Sequence, residues 1–190
     1  MNLLDSNLNL FLMLLSFAAG LLGIFFVVKT LHKQTIKMGE FCRSIQMPNG
    51  CFSWFHGGSL VSKNIIKQTL ERVGYKNKTF SIAEDTGFCR MSNVTSVILV
   101  DIGSKKNTSN DSKASLFAFE FFHQKQKIIS NLGELVNSNL RYAKNSLASS
   151  AAHSTLNIDD RNNIDLTGHR KTKVFNIKYG TTKDGNLLDV

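Results

Sequence analysis

The longest apolar stretch of the chain lies near its N-terminus. No charged residue occurs between Asp5 and Lys29, and residues 8–28 are apolar apart from one Asn and one Ser. At about 1.5 Å per residue, a helix of that length covers roughly 30 Å, the thickness of the hydrocarbon core of a bilayer. A helix that is apolar on every face is rarely exposed to water. The pattern therefore predicts a transmembrane helix over residues 8–28, which follows a short N-terminal segment, residues 1–7.

A cleaved signal peptide is the alternative interpretation of the same stretch. Signal peptides usually carry basic residues ahead of the apolar run, and here no Lys or Arg precedes it. The tripeptide Ser16-Phe17-Ala18 has the small-x-small pattern of a cleavage site, but cleavage after it would leave the apolar residues 19–28 at the new N-terminus. A membrane span accounts for the pattern better.

The charges that flank the apolar stretch predict its orientation. Asp5 is the only charged residue before it, whereas Lys29, Lys33 and Lys37 follow it closely. Because basic residues are retained on the cytoplasmic side of a membrane, we expect the N-terminus outside and the soluble domain in the cytoplasm. Residues 29–40 are predicted to continue as a basic juxtamembrane helix, with these three lysines at the membrane surface.

Small residues recur at a spacing of four within the predicted span. Ser16 and Gly20 form one small-xxx-small pair, and Ala19 and Gly23 form another. Such spacing lets two helix backbones approach closely, so these four residues are candidate positions for self-association or for pairing with another membrane protein. Gly and Ala are also common in membrane helices that do not pair, which leaves an unpaired helix as the alternative.

Two short runs rich in apolar residues follow the juxtamembrane helix, for which Gly39 is the expected end. Residues 41–47 and 51–55 flank a Pro-Asn-Gly sequence at residues 48–50. Two apolar runs on either side of such a turn predict a β-hairpin.

Apolar residues then return at helical spacing over residues 59–73, while charged residues occupy the opposite face. The pattern predicts an amphipathic helix, with Ser59 or Ser62 as its N-cap and Gly74 at its C-terminal end. A second segment with this spacing, residues 132–147, predicts a second amphipathic helix.

The strongest strand signal is the run NVTSVILVDI at residues 93–102. A polar connection separates it from ASLFAFEFF, residues 114–122, in which both alternating faces are largely apolar, so this strand is predicted to be central and covered on both sides. Glu120 within it then requires a hydrogen-bonding partner or a position at the rim, because an unpaired buried carboxylate is costly. Residues 126–130 are expected to continue an antiparallel meander, and residues 79–83 to form a further short strand.

These elements predict an α+β protein, in which a single transmembrane helix precedes one small domain with an antiparallel sheet and two amphipathic helices. The domain is assigned to residues 41–147. Residues 148–169 are polar and are interpreted as a linker or a long loop. Residues 170–190 contain two apolar runs around a glycine-containing turn, so they are predicted to form a C-terminal hairpin that joins the sheet.

The charge of the chain narrows the choice of partners. The formal net charge is +9 and the pI is about 9.6, which favours anionic surfaces such as lipid headgroups, nucleic acid or acidic proteins. Lys and Arg are spread along the chain without a block of like charges, so nucleic acid is a disfavoured partner and the lipid bilayer is the expected one. The three cysteines have irregular spacing and fit a reducing compartment, although one pair with one free thiol is an alternative.

The cysteines and histidines offer few candidate sites. Cys42, Cys51, His56 and Cys89 are residue types that bind zinc, but their spacing lacks the Cys-x-x-Cys pair that pre-forms a zinc site. Buried core cysteines are therefore the favoured interpretation, and we expect no metal and no cofactor. A Cys-His nucleophile pair, such as Cys51 with His56 or Cys89 with His123, needs a geometry that spacing alone does not establish.

The sequence His56-Gly57-Gly58 is a candidate anion site, because it precedes a predicted helix and because glycines before a helix N-terminus expose backbone N–H groups. It lacks the Lys-Ser/Thr of a phosphate-binding loop, so a plain turn into the helix is the favoured interpretation. Trp54, beside two phenylalanines, is a candidate aromatic surface or a core residue.

Residues 93–130 and 173–190 together resemble a group of bacterial membrane-anchored small β-domain proteins of unknown function. In that group a transmembrane helix precedes a strand with Val-Thr, a long polar loop, a second strand and a closing strand near Tyr-x-Pro. These positions are taken here by Val94-Thr95, residues 103–113 and residues 174–179. No Pro follows Tyr179, and an insertion with a helix separates the strands. The resemblance implies a small β-rich domain and no catalytic residue.

Because the chain has no recognisable active-site motif, we expect a single-pass, membrane-anchored structural or adaptor protein that is not an enzyme. Its basic domain would engage partner proteins or acidic lipid, at a local concentration that the anchor raises. Two alternatives from other classes stay open. One is a membrane-tethered enzyme with a site near Cys51, His56 and Gly58, and the other is a membrane-associated nucleic-acid binder.

Overall fold

The chain has two compact units, residues 1–39 and residues 40–190. The computed structural model describes residues 3–73, 78–103, 113–133, 146–166, 178–182 and 185–189. The described residues of the first unit, 3–39, are helical. The second unit is an α+β domain built on an antiparallel sheet, which confirms the predicted α+β class and the antiparallel sheet.

A single long helix, α1, runs from Leu3 to Ile45 and includes 43 residues. Its apolar side chains over residues 11–28 are exposed on every side. By length and composition, the part from Phe11 to Ile45 is able to cross a membrane, and a signal sequence near an N-terminus meets the same criterion. The sequence pattern thus correctly identifies an apolar N-terminal helix.

The end of α1 differs from the sequence-based expectation. The helix continues past Gly39 and ends at Ile45, so residues 41–45 are helical and do not form the first strand of a hairpin. Phe41 and Ile45 lie one turn apart and pack on the domain core. Their burial stabilises the continued helix by more than Gly39 destabilises it. Only one bridge, between Gln46 and Phe52, remains of the predicted hairpin.

Five antiparallel strands form the main sheet in the order β1-β2-β3-β4-β5. Their bounds are Ile82–Ala83 for β1, Phe88–Ser92 for β2, Ser96–Asp101 for β3, Phe119–His123 for β4 and Gln126–Ile129 for β5. Each strand pairs with its neighbour in the chain, as in a meander. The turn into β3 is held by the Asn93 side chain, whose Oδ1 accepts hydrogen bonds from the N–H groups of Thr95 (2.9 Å) and Ser96 (2.7 Å).

Apolar residues cover both faces of this sheet, because the side chains of β3 alternate between them. On one face Val97, Leu99 and Phe122 pack with Phe55, Phe88 and the end of α1. On the other face Cys89, Val100 and Ile102 pack with Phe119 and with residues of the C-terminal hairpin. The central strands are therefore covered on both sides, as the apolar pattern predicts.

The segment that leads into β4 is not a strand. The pattern predicts a strand over residues 114–122, but regular pairing begins at Phe119. Phe117 has φ of +60°, in the left-handed region that bulky residues rarely adopt. A turn at residues 116–117 therefore replaces the first half of the predicted strand.

A second helix, α2, runs from Lys63 to Arg72 and lies within the predicted range 59–73. Ser62 occupies its N-cap position without a side-chain capping hydrogen bond, and Ile66 is its buried residue. The second predicted helix, residues 132–147, lies mostly outside the described residues, although residues 146–148 are helical.

The C-terminal hairpin consists of β6, Lys178–Thr182, and β7, Gly185–Asp189, which pair with each other as a separate sheet of two strands. Tyr179 and Leu188 pack against the face of the main sheet that contains Cys89. In the part that the structure describes, the hairpin thus contacts the main sheet through side chains and not through strand pairing.

Residues 148–166, which the sequence analysis interprets as a linker or loop, contain one 3₁₀ turn, Ser150–Ala152. The segment is bound to the lead-in of β4 by side-chain hydrogen bonds. Ser150 Oγ donates to the carbonyl oxygen of Ala114 (2.9 Å), and Asn163 Nδ2 donates to that of Leu116 (2.6 Å). The segment is therefore an integral part of the domain.

Candidate functional site

A cluster of polar side chains lies at the C-terminal end of β3. Asp101, the last residue of the strand, is 4 % exposed. Its Oδ1 accepts a hydrogen bond from the backbone N–H of Gly103 (3.0 Å), and its Oδ2 accepts one from Ser115 Oγ (3.0 Å). These bonds satisfy a carboxylate that would otherwise be costly to bury.

The left-handed turn before β4 brings Ser115 to this carboxylate. The backbone N–H of Phe117 donates to the carbonyl oxygen of Asp101 (2.7 Å), and the N–H of Asp101 donates to that of Ala118 (2.9 Å). The two segments are therefore joined through main chain as well as side chain, and Ser115 is fully buried.

A tight turn from Phe55 to Gly58 supplies the exposed member of the cluster. The N–H of Gly58 donates to the carbonyl oxygen of Phe55 (2.9 Å), and the two central residues, His56 and Gly57, have φ of +51° and +79°. Positive φ at both central positions is the pattern of a type I′ turn, in which His is tolerated better than most side chains.

The His56 ring faces the buried pair with both of its nitrogens. Nε2 lies 3.2 Å from Asp101 Oδ2, and Nδ1 lies 3.4 Å from Ser115 Oγ. The side chain is 42 % exposed, and its ring meets Phe88 edge-on at 6.0 Å. One side of the imidazole is therefore fixed by the protein, while the rest is accessible to solvent.

Lys113 and His153 complete the cluster, the second through its electrostatic interactions with Lys113, His56 and Asp101. A Cβ built on Gly57 would lie 2.5 Å from Lys113 Nζ, so the ammonium group lies directly over this turn. His153 is 9 % exposed, and in the described part of the chain neither of its ring nitrogens has a hydrogen-bond partner. Burial and the nearby charge of Lys113 lower the pKa of His153, so its ring is neutral at pH 7. We refer to His56, Asp101, Lys113, Ser115 and His153 as the His56 cluster.

The geometry of the His56 cluster limits its chemistry. Ser115 is buried and donates its hydroxyl hydrogen to Asp101, so Ser115, His56 and Asp101 do not form a nucleophilic triad in which histidine activates an accessible serine. Among the residues that the structure describes, no three His, Cys, Asp or Glu side chains are grouped to hold a metal ion. Because both ring nitrogens of His56 face Asp101 and Ser115, the Lys113 ammonium group is the member of the cluster that is suited to binding an anion.

A second buried carboxylate lies on the same face of the sheet, under the segment that precedes His56. Glu120 is fully buried opposite Leu99, and its Oε1 accepts hydrogen bonds from the backbone N–H of Trp54 (3.0 Å) and from Ser130 Oγ (3.3 Å). Burial raises the pKa of Glu120, although these bonds and the charge of Lys127 oppose the shift. The partner that the sequence analysis requires for this carboxylate is therefore present.

The cysteines that the sequence analysis considers are all free thiols. Cys89 is buried in the core, and Cys42 and Cys51 are half-buried. The ring of His56 is directed at Asp101 and Ser115, and His123 Nδ1 lies 3.1 Å from Ser96 Oγ. The structure thus gives both histidines partners other than the cysteines proposed for a nucleophile pair.

The remaining candidate residues lie on α1. Ser16, Ala19, Gly20 and Gly23 are exposed, and a shallow groove beside Ser16 and Gly20 is lined by apolar side chains. The exposed residues Lys29, Lys33 and Lys37 follow at intervals of four and so share one face of the helix.

Sequence reasoning points to His56 but not to the residues that contact it. Asp101 is detectable as a charged residue at the end of an apolar strand, yet Ser115 and His153 belong to no motif. Ser115 meets His56 only in the folded chain, across 59 positions, and the charge of His56 contributes to lowering the pKa of His153.

Comparison of the sequence with known protein families identifies one match. Residues 76–188, more than half of the 190 residues, match the family model described as heparinase II/III-like, C-terminal. No curated protein and no solved structure matches the chain. The matched range includes Asp101, Ser115 and His153, whereas His56 precedes it.

Proposed function

The chain belongs to the heparinase II/III-like C-terminal family, and from this we propose that it is a membrane-anchored, non-enzymatic module that binds an acidic polysaccharide at the His56 cluster. The family name refers to heparinases, and heparin is an acidic polysaccharide. The observation that supports the proposal best is the exposed imidazole of His56 beside the ammonium group of Lys113, on the surface of a domain with this family match.

The chemistry of the cluster suits sulfate or carboxylate groups on a sugar chain. The Lys113 ammonium group donates charge-assisted hydrogen bonds to such anions, and the exposed edge of the His56 ring lies beside it. Asp101 is the one carboxylate in the cluster, and its oxygens already accept bonds from Ser115 and Gly103. The net charge of +9 would in addition draw a polyanion toward the domain.

We propose that α1 spans the membrane and holds the domain at its surface. The support is the exposed apolar surface of residues 11–28, which water would solvate poorly. The full chain should then stay in the membrane pellet after carbonate extraction, and its intact mass should include residues 1–28. Release into the supernatant, or a mature chain that lacks the apolar stretch, would identify a signal sequence instead.

The basic residues Lys29, Lys33 and Lys37 support an orientation with the domain in the cytoplasm. There it would meet acidic carbohydrate at the inner face of the membrane, whereas the opposite orientation would present it to exported polysaccharide. A cysteine introduced at the exposed position Lys125, in a chain with Cys42 and Cys51 replaced by Ser, reports the side directly. Labelling of this cysteine in intact cells by a membrane-impermeant maleimide would show that the domain lies outside the cytoplasm and would contradict the proposed orientation.

Self-association through α1 is a further part of the proposal. Ser16 and Gly20 lie beside the shallow groove, and a Cβ at Gly20 would meet no atom within 4 Å. A second helix could therefore approach closely at this position. Gly20→Leu should reduce cross-linked dimer in membranes, while Ala18→Leu serves as a control outside the small-residue pairs.

Binding to immobilised heparin tests the proposed ligand. His56→Asn removes the imidazole but keeps a residue that tolerates the left-handed conformation, and Lys113→Met removes the ammonium group. Lys113→Met should weaken heparin binding by about tenfold, the effect of losing one charge-assisted contact of about 1.4 kcal/mol. His56→Asn should weaken binding to a smaller extent, because the exposed ring lies beside the ammonium group but has no free nitrogen. His123→Asn is the matched control, because His123 is the exposed last residue of β4 and lies outside the cluster.

Binding to heparin is compared with binding to uncharged dextran and to vesicles that contain anionic lipid. Dextran should not bind, and binding to heparin should weaken as salt rises. Equal heparin affinity of the wild-type chain, His56→Asn and Lys113→Met would refute the site. Vesicle binding that is unaffected by these changes, without heparin binding, would favour the acidic-lipid adaptor, and salt-sensitive binding to DNA alone would favour a nucleic-acid binder.

An enzyme is the second candidate, because His56 pairs with a carboxylate as a general base often does. Incubation of heparin with the full chain, followed by size-exclusion chromatography, distinguishes the two. The binding module leaves the polymer length unchanged, whereas an enzyme shortens it and loses this activity in His56→Asn.

A further inference from the structure

The segment that precedes His56 is held by a residue distant in sequence. The backbone N–H of Trp54 donates to Oε1 of Glu120 at 3.0 Å, across 66 positions of the chain. Glu120 lies on β4 and is fully buried. Its other oxygen, Oε2, is buried without a hydrogen-bond partner in the described part of the domain.

The same carboxylate is fixed from the opposite side. Oε1 also accepts bonds from Ser130 Oγ (3.3 Å) and from the N–H of Asn131 (3.4 Å). Lys127 Nζ donates to Ser130 Oγ at 3.0 Å and lies 3.7 Å from the centre of the Trp54 ring. Residues 127–131 and Trp54 are therefore assembled around one carboxylate oxygen.

The turn that contains His56 is packed at both ends. Phe55 meets Phe88 edge-on, with ring centres 5.4 Å apart. At the other end a Cβ on Gly133 would lie 2.9 Å from the carbonyl oxygen of Gly58. A non-glycine residue such as His56 keeps a left-handed backbone only where contacts with the surrounding structure stabilise it. The contacts of Phe55 and Gly58 provide this stabilisation.

We propose that Glu120 is the positioning residue for His56, whose carboxylate fixes the start of the Phe55–Gly58 turn through the N–H of Trp54 and so holds the imidazole against Asp101. An apolar residue at this position would fill the space but would leave the N–H groups of Trp54 and Asn131 unpaired. The hydrogen bond from Trp54 N–H to Glu120 fixes where the turn begins, and the start of the turn fixes the position of the His56 imidazole.

Two substitutions separate the hydrogen bond from the volume of the side chain. Glu120→Leu removes the acceptor at similar size. Glu120→Gln keeps an amide oxygen for Trp54 and removes the charge. Ser130→Ala is the matched control, because it removes a donor to the same Oε1 without touching residues 54–58.

The measurement is the imidazole Cε1–Hε1 resonance of His56 in the full chain, in detergent micelles with labelled histidine, assigned by its loss in His56→Asn. The chain has five histidines, so the other four report the rest of the fold. Glu120→Leu should move the His56 resonance and leave those of His32 and His123 unchanged. Glu120→Gln and Ser130→Ala should both retain the wild-type position.

A folded Glu120→Leu chain with an unmoved His56 resonance would overturn the proposal. If Glu120→Leu does not fold, Glu120→Gln is the test. Because Gln keeps an acceptor oxygen for Trp54, a wild-type His56 resonance in that variant supports the proposal, and a shifted resonance overturns it. Heparin affinity is a second measurement and rests on the proposed function, with a loss expected in Glu120→Leu only and no larger than the loss in His56→Asn. If no variant binds heparin, the proposed ligand fails, while the resonance still tests the role of Glu120.

Discussion

Arg90 donates from Nη1 to the backbone carbonyl oxygens of Ser44 (2.6 Å) and Gln46 (3.1 Å). The last carbonyl groups of a helix have no partner within the helix, and a cation near them is favourable. Strand β2 thereby caps the C-terminal end of α1. Burial, and the charge of Arg43, lower the pKa of Arg90 to about 10, which still leaves it charged at pH 7.

Arg90→Met should destabilise the domain by about 3 kcal/mol, because two charge-assisted hydrogen bonds are lost and two carbonyl groups stay without them. Urea unfolding in mild detergent, followed by the fluorescence of Trp54, measures the change, since this is the single tryptophan. Arg72→Met, on the exposed last turn of α2, is the control and should have little effect. Similar stability of the two variants would show that the cap is energetically unimportant.

The Cys89 thiol should make stability depend on pH above neutrality. Burial raises its pKa to about 11, whereas a thiol in an unfolded chain ionises near pH 8.5. The folded state therefore disfavours the thiolate, so its stabilising contribution is complete below about pH 8.5 and is lost as the pH rises toward 11.

Cys89→Ala should remove this part of the pH dependence. Wild-type stability should fall by up to about 3 kcal/mol more than that of the variant between pH 8.5 and pH 11, at 1.36 kcal/mol per unit. Cys51→Ala is the control, and parallel curves for the wild-type chain and Cys89→Ala would contradict the prediction. Because Cys89 is fully buried, its native thiol is also unsuited to reporting membrane sidedness.

Gly133→Ala should destabilise the turn that contains His56. The added Cβ would lie 2.9 Å from the carbonyl oxygen of Gly58 and 3.5 Å from Cδ2 of Trp54. Because backbone cannot yield as a flexible side chain does, the cost should be about 1–3 kcal/mol. Gly180→Ala in β6 is the control, since a Cβ there meets no atom within 4 Å. Thermal unfolding of both variants measures the difference, and equal midpoints would count against the contact.

The sequence predicts those parts of the fold that depend on local pattern. The apolar helix, a strand within residues 93–102 and a strand within residues 126–130 all follow from residues close in the chain, and the two strands are observed as Ser96–Asp101 and Gln126–Ile129. The sequence pattern does not predict strand β2, because FCRMS has no clear alternation of apolar and polar residues and is stabilised by pairing with β3.

The errors occur where distant contacts override local preference. Residues 114–118 have strand-forming side chains, but hydrogen bonds from Ser115 and Phe117 to Asp101 favour a left-handed turn. In the same way α1 extends through Phe41 and Ile45 because their side chains pack against the core. The two glycines after His56 make it a candidate from sequence, whereas its contacts with Asp101 and Ser115 exist only in the folded chain.

Asn163 should be essential to the segment that the sequence analysis interprets as a linker. Its Nδ2 donates to the carbonyl oxygen of Leu116 (2.6 Å) and to Thr155 Oγ1 (3.0 Å), and its N–H donates to Ser150 Oγ (2.9 Å). Asn163→Ala leaves the two acceptors without this donor, so the domain should lose about 2 kcal/mol and residues 146–166 should become sensitive to limited proteolysis. Asn157→Ala, at an exposed position of the same segment, is the matched control. Equal protease resistance of the two variants would mean that residues 146–166 are held in place without the Asn163 side chain.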